Sequence, residues 1–377
     1  MTFPRRVLMT ADTVGGVFSY AVELSRELAE TGVEITLVTM GRSLTDAQRE
    51  ELSSIPNLRC LETTYALEWM EDPWKDVDAA AAWLLEAEAT FRPDVIHLNG
   101  FAHAALPWSR PVFVVAHSCV ASWFRAVRGQ ELPPAYAEYG RRVRAGLAGA
   151  TLVVAPTAAF LAELSAVYGE LPWTRVIPNG IRPDGFQPAT KEPFFLAAGR
   201  LWDAAKNLEL VARCAHRLPW PVLVAGELRG SPPGPAVRWL GARSRAELSA
   251  LMGRAAVFLH PARYEPFGLA PLEAALSGAA LVLGDIPALR EIWGPAALFV
   301  PPDANDAFVN AASRLAEDAA LRAELSARAR ARALELSAGR MARAYLDAYR
   351  ELARIPAPRL RQRSETRSAA SRSEDRP

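Results

Sequence analysis

Four loops in this chain carry residue types able to handle a phosphorylated, hydroxyl-rich ligand. The first is Asp12-Thr-Val-Gly-Gly-Val-Phe18. Its adjacent glycines, Gly15 and Gly16, let backbone amides approach a ligand at a helix N-terminus, where the dipole favours a phosphate or a developing negative charge. A plain strand-to-helix turn would use the same pair. The loop lacks G-x-G-x-x-G spacing and no Walker lysine follows, which sets aside a nicotinamide dehydrogenase and a P-loop ATPase. The second candidate is His117, directly after the apolar run 112–116 and so at a predicted strand's carboxyl end. Functional and structural roles both stay open for it. No other histidine or carboxylate stands at metal-ligand spacing around it, so zinc is not expected. His97, within a predicted strand, and His103 read as structural.

The third loop is Ala198-Gly-Arg-Leu-Trp-Asp-Ala-Ala-Lys-Asn207. Arg200 and Lys206 lie six apart across it, close enough to converge on one anion: arginine forks onto two phosphate oxygens and lysine acts as a point charge. Two loop cations are also what a solvated surface looks like. Lysine is scarce here, however, occurring only at Lys75, Lys191 and Lys206, and that scarcity favours a diphosphate clamp. The fourth and most specific signal is Glu265-Pro-Phe-Gly-Leu-Ala-Pro-Leu-Glu273. Pro271 suits a first helical turn, so the amides of Phe267, Gly268 and Leu269 would face a ligand from a helix start. Glu265 would precede that helix and Glu273 would lie in it, two carboxylates able to accept hydrogen bonds from sugar hydroxyls. Asp76-Val-Asp78 has the D-x-D spacing of metal-dependent transferases, but it opens a predicted Ala-rich helix and reads as helix N-terminal acid.

Such loops need elements to hold them. Short apolar runs alternate with segments of helical period, the pattern of parallel sheets flanked by helices. Strands are predicted at 7–10, 35–39, 94–98, 112–116, 152–155 and 175–177, with a helix over 17–31. Residues 178–193, dense in Pro, Gly and Asn, read as an interdomain linker. The alternation then restarts, with strands at 194–198, 222–225, 237–240, 257–260, 280–283 and 297–300. Helices fall near 207–218, 245–252, 271–276 and 287–293. The expected fold class is α/β, two Rossmann-like doubly wound domains facing a central cleft, with ligands beyond the strands' carboxyl ends. Residues 303–352 are helical in period, their alternating charges marking a solvated face. Residues 355–377 read as a disordered tail, whose few arginines give at most weak peripheral membrane contact.

Composition removes other classes. The chain has 377 residues, with 43 basic and 42 acidic side chains. This balance offers no cationic excess for a nucleic acid. No apolar run reaches the roughly 18 residues of a spanning helix, and no secretory signal is evident at the N-terminus. Three scattered cysteines, Cys60, Cys119 and Cys214, form no disulfide framework, and a reducing cytoplasm is the expected compartment.

Taken together, these motifs resemble the retaining glycosyltransferases of family 4, which have the GT-B fold and are related to glycogen and sucrose synthases. The likeness runs from Gly15-Gly16 through His117-Ser118, Ile177-Pro-Asn-Gly-Ile181, Gly199-Arg200 and Lys206-Asn207 to the E-x7-E motif of Glu265 and Glu273. It implies transfer of a hexosyl group from a nucleotide-diphosphate sugar, a UDP-sugar before GDP-mannose, to an acceptor hydroxyl with retention and without metal or other cofactor. It implies an acceptor domain over 1–182, a nucleotide-sugar domain over 183–338 and a helix over 339–354 crossing back to the first domain. Arg200 and Lys206 would stabilise the leaving diphosphate, Glu273 would hold the ribose and Glu265 the donor sugar. Gly15, Gly16, Asn179, Gly199, Phe267, Gly268 and Leu269 would line the donor. His117 would contact the sugar or orient the acceptor, which is a sugar, a lipid-linked molecule or a small molecule. Trp123, Arg125 and Arg128 form a candidate acceptor wall. Two positions depart from the commoner pattern: Pro266 stands where many relatives carry Gly, and Pro287-Ala288 where many carry Gly-Gly. A GT-B phosphorylase, a nucleotide-sugar epimerase and an inactive sugar-nucleotide-binding relative are the alternative readings.

Overall fold

In the first half of the chain, Val, Leu and Ile runs bury both faces of a sheet, as parallel strands covered by helices must. The structure, a computed structural model, describes residues 4–200, 202–227 and 234–353. Seven parallel strands form the N-terminal sheet: β1 (Arg6–Asp12), β2 (Glu34–Met40), β3 (Leu58–Glu62), β4 (Val95–Leu98), β5 (Val112–Val115), β6 (Leu152–Ala155) and β7 (Thr174–Val176). Their order is β3-β2-β1-β4-β5-β6-β7. Six more form the C-terminal sheet: β8 (Glu192–Ala198), β9 (Val222–Ala225), β10 (Val237–Gly241), β11 (Ala255–His260), β12 (Ala280–Gly284) and β13 (Leu298–Val300). These run β10-β9-β8-β11-β12-β13.

One strand of the first sheet is absent from the sequence reading. β3 is an edge strand whose five residues are all either partly buried or exposed. Leu58-Arg-Cys-Leu-Glu62 therefore never shows the continuous apolar run by which the central strands are recognised. The helix of the E-x7-E motif also starts earlier than expected, at Leu269 with Gly268 as its N-cap, so Pro271 sits inside the first turn. Of the D-x-D acids, Asp76 lies in the first turn of the helix Trp74–Phe91, and Asp78 lies past that turn. Asp76 accepts from the Ala66 amide at 3.0 Å, and Asp78 is paired with Arg142.

The chain crosses between the sheets twice, and the two crossings touch. Ile181 bridges Ser337, and a Cβ on Gly180 would stand 2.3 Å from the Ser337 carbonyl oxygen. A side chain there would force the crossings apart. Beyond Ser337, the helix Ala338–Ala353 packs into the core under the first sheet. His97 of β4 bonds Tyr20 at 3.2 Å through Nε2 and Tyr349 at 2.5 Å through Nδ1. A wholly buried histidine joins the first and last described helices, as the structural reading of His97 expects. Among the described residues, no helix is long and apolar enough to cross a membrane. The tail over 355–377 lies outside the described residues.

Candidate functional site

In open parallel sheets, the crevice lies where the strand order reverses. In the C-terminal sheet that point falls between neighbours β8 and β11. The loop after β8 carries Arg200, Asp203 and Lys206, and the loop after β11 carries Glu265. Lys206 Nζ donates to Glu265 Oε2 at 2.6 Å, and His260 Nε2 lies 3.1 Å from the same oxygen. Among the described residues no hydrogen bond reaches Glu265 Oε1. Burial pushes the Glu265 carboxyl upward, but the combined pull of Lys206 and His260 outweighs it and holds the group well below the usual carboxylate range. Arg200 is held by a different carboxylate, Asp203, at 3.3 Å. Each cation of the expected clamp thus has an acid of its own.

Two helix starts face each other across the cleft. Gly15 caps the helix Gly16–Glu30 at φ 102°, and Gly268 caps Leu269–Leu276 at φ 94°; no side chain caps either end. Both torsions suit glycine. A Cβ on Gly15 would stand 2.9 Å from Arg200 Nη1, and one on Gly16 would stand 3.2 Å from Leu269 Cδ1. The glycine turn of one domain therefore packs on the arginine and helix start of the other. Uncapped first-turn amides and a guanidinium in one place are the donor types that suit an anion.

On the other wall, the switch point lies between β1 and β4. Asn99, just after β4, donates from Nδ2 to the Thr10 carbonyl at 2.6 Å, which orients its Oδ1 toward His117 Nε2 at 2.8 Å. This network assigns the His117 proton to Nε2 and leaves Nδ1 as an acceptor. Burial lowers the His117 pKa to about 3, so the ring stays neutral. Its edge packs on Tyr20 at 4.5 Å between centroids. Asp12, at the end of β1, accepts from Val14 N at 2.5 Å and Trp69 Nε1 at 3.3 Å. Burial raises it to about 6 despite those bonds and the Arg200 charge.

Several contacts hold the walls together. Cys119 N donates to the Tyr264 hydroxyl at 2.9 Å, and Thr157 Oγ1 donates to the Pro266 carbonyl at 3.0 Å. Glu291 accepts from Ala158 N and Ala159 N, each at 2.8 Å, and so caps a helix of the opposite domain. Arg245 reaches Glu23 at 2.8 Å and Glu51 at 3.0 Å. Near this cluster sits Glu273, whose carboxylate no hydrogen bond reaches among the described residues. Burial raises it to about 7, Arg245 pulling the other way and Glu23 adding to the rise.

Comparison with known proteins finds two family models on this chain. Residues 14–184 match the model of Glycosyltransferase Family 4, and residues 183–332 match Glycosyl transferases group 1. The chain belongs to glycosyltransferase family 4. It is 28% identical to a D-inositol 3-phosphate glycosyltransferase of Xylanimonas cellulosilytica over 89% of this chain and 91% of that one. An O-antigen chain mannosyltransferase, RfbU of Salmonella typhimurium, is 30% identical over 34% of this chain and 40% of its own length. Among solved structures, sucrose-phosphate synthase from Thermosynechococcus elongatus superposes with a TM-score of 0.79 at 19% identity, covering 92% of this chain and 99% of that one. Anabaena HepE in complex with UDP and glucose gives 0.73 at 15% identity, covering 92% and 100%. The fold of this transferase is GT-B.

Of the residues singled out in the transferase sequence, Gly15, Gly16, Arg200, Lys206, Glu265, Gly268 and Leu269 are brought together. Gly199 follows β8 directly, and Phe267 is buried beneath the E-x7-E loop. Asn179 is buried in the first crossing, and no hydrogen bond or ion pair among the described residues joins it to Arg200, Lys206 or Glu265. Trp123 ends the helix Val120–Trp123, and its Nε1 donates across the cleft to Asp203 at 3.1 Å. Arg125 is engaged by Glu131 at 2.8 Å, and Arg128 lies over the Trp123 ring at 5.6 Å. Sequence reasoning passed over Asp12, Asn99, Asp203 and His260. All four stand at strand carboxyl ends or in the loops that follow, so position was the available signal. Among the described residues, no group of three His, Cys, Asp or Glu is placed to hold a metal ion.

Proposed function

We propose that this transferase moves a hexosyl group from a nucleotide-diphosphate sugar to an acceptor hydroxyl with retention and without metal, in polysaccharide, cell-envelope or glycoconjugate synthesis. The observation that carries this reading is the convergence of Lys206, Glu265 and His260 with Arg200 and two uncapped helix starts. Charge that grows on a departing diphosphate would meet Arg200, Lys206 and first-turn amides, the role that fixed donors play for developing oxyanions. Glu265, held ionised by Lys206 and His260, would accept hydrogen bonds from donor-sugar hydroxyls, and Glu273 from the ribose. His117, neutral, would accept one from the sugar or the acceptor at Nδ1. The bond from the anomeric carbon to the diphosphate oxygen breaks, the acceptor oxygen bonds that carbon on the same face, and the acceptor proton leaves on the departing phosphate.

A uridine donor is favoured over GDP-mannose because Anabaena HepE, a solved structure of the same fold, is in complex with UDP and glucose in one crystal and with UDP-glucose in another. Thermal shift with UDP, GDP, ADP and their sugar conjugates tests the donor half, since binding stabilises the folded state by mass action. Stabilisation by UDP above the others is expected; preference for GDP would move the donor to the GDP-sugars. Proton NMR of the product anomer tests retention. Phosphorolysis, acceptor-free epimerisation, or nucleotide binding without transfer would each overturn the transferase chemistry proposed.

A further inference from the structure

Asp203 is an unexpected residue to find beside a diphosphate clamp, because a carboxylate there opposes the charge the clamp is meant to receive. Its side chain is only 9% exposed, and three bonds define it. Oδ1 accepts from Ala205 N at 3.0 Å, starting the turn Ala204–Lys206 that delivers Lys206. Oδ2 accepts from Arg200 Nη2 at 3.3 Å. The third bond comes from the opposite domain, where Trp123 Nε1 donates to Oδ1 at 3.1 Å. Trp123 sits six residues past His117 on the same loop-helix segment, and Arg128 covers its ring. On its other side Arg200 packs against the Gly15 turn, so the guanidinium is fixed by both domains.

We propose that Asp203 is a positioning residue which couples closure of the cleft to the orientation of Arg200, with the Trp123 indole as the contact that reports closure. The inference rests on the reading of Arg200 as a diphosphate ligand. When the domains part, Asp203 loses the indole donor and keeps only local bonds, and Arg200 loses the Gly15 turn. When they close, the indole and the glycine turn return together. Each unit of the site is incomplete without the other, and contacts made in the closed state and lost in the open one supply a coupling free energy.

Inorganic pyrophosphate is a probe that needs no knowledge of the base or sugar. Calorimetry would follow its binding to the full chain, and 15N-indole spectra would follow the Trp123 N–H, assigned by Trp123→Phe. Binding to the wild type is expected, with the Trp123 resonance shifting on addition. Asp203→Asn and Trp123→Phe should each weaken binding about fivefold or more, and the double variant should be no weaker than Asp203→Asn alone. In Asp203→Asn the Trp123 resonance should no longer respond. No binding to the wild type, or full binding by Arg200→Ala, would sink the clamp reading itself. Binding lost in Arg200→Ala but kept in both other variants, with a silent Trp123 resonance in the wild type, would overturn the coupling alone. Unchanged thermal midpoints of the variants would exclude simple unfolding as the cause.

Discussion

Lys206 and Glu265, 59 residues apart, form a 2.6 Å ion pair with His260 completing the group. The side chains are 16% and 14% exposed, so the pair is shielded enough for its loss to be felt. Breaking a buried pair from one side leaves an uncompensated charge.

Lys206→Ala should therefore act twice. Turnover with the donor identified by the nucleotide screen should fall by about 10²–10³, the loss of one fixed charge-stabilising donor, or about 2.7–4 kcal/mol. The thermal midpoint should fall as well, because Glu265 is left buried beside His260 alone. Steady-state kinetics and calorimetry check the two effects separately, and full turnover would remove Lys206 from the leaving-group role.

The Glu265 pair also has a pH signature. Its folded pKa is depressed below the unfolded value of about 4.3, so the stability it contributes is present above that value and is lost as pH falls toward the folded pKa. Glu265→Gln should be less stable than the wild type at pH 7, and the gap should narrow below about pH 4. Denaturant melts at pH 7 and at acid pH measure it. An equal gap at both would mean that the carboxylate charge is not what stabilises the pair.

Glu273 titrates in the opposite sense. Its folded pKa is raised to about 7 by burial, so between the unfolded value and that pH the folded state binds more protons, and stability declines as pH rises through the window. If the ionised carboxylate accepts ribose hydroxyls, nucleotide affinity should increase from pH 6 to pH 8. In Glu273→Gln that dependence should flatten while affinity drops. Calorimetry in matched buffers reads both.

His117 should not appear in the pH–rate profile. With its pKa lowered to about 3 by burial, the ring stays neutral from pH 5 upward, and no limb near the ordinary histidine value should come from it. His117→Ala should lower kcat/KM while leaving the profile's shape unchanged. A limb near pH 6.5 that vanishes in the variant would show that the ring does titrate.

Glu291→Ala tests the tie between the domains. The helix Ala158–Tyr168 has a cap of its own, Thr157, which accepts from Phe160 N, but Ala158 and Ala159 rely on Glu291. Its loss should cost about 0.5–2 kcal/mol, the range for a lost helix cap. Small-angle scattering should show a larger radius of gyration if the cap also favours closure. An unchanged melt would mean that solvent caps the amides equally well.

The local order of this protein is legible in its residues. Alternating apolar runs and helical periods placed twelve of the strands, and each motif fell beyond a strand's carboxyl end, because the periods of strand and helix depend only on near neighbours. The arginine and lysine of one loop and the two glutamates of another were visible as candidates for the same reason. What they touch was not. Lys206 meets Glu265 because β8 and β11 are neighbours in the sheet, a consequence of strand order rather than of spacing. Trp123 crosses the cleft to the carboxylate of Asp203, and Tyr349 reaches back to His97 across 252 positions. Pairings of this kind are decided by which sheets and domains come together, and only the folded chain fixes that.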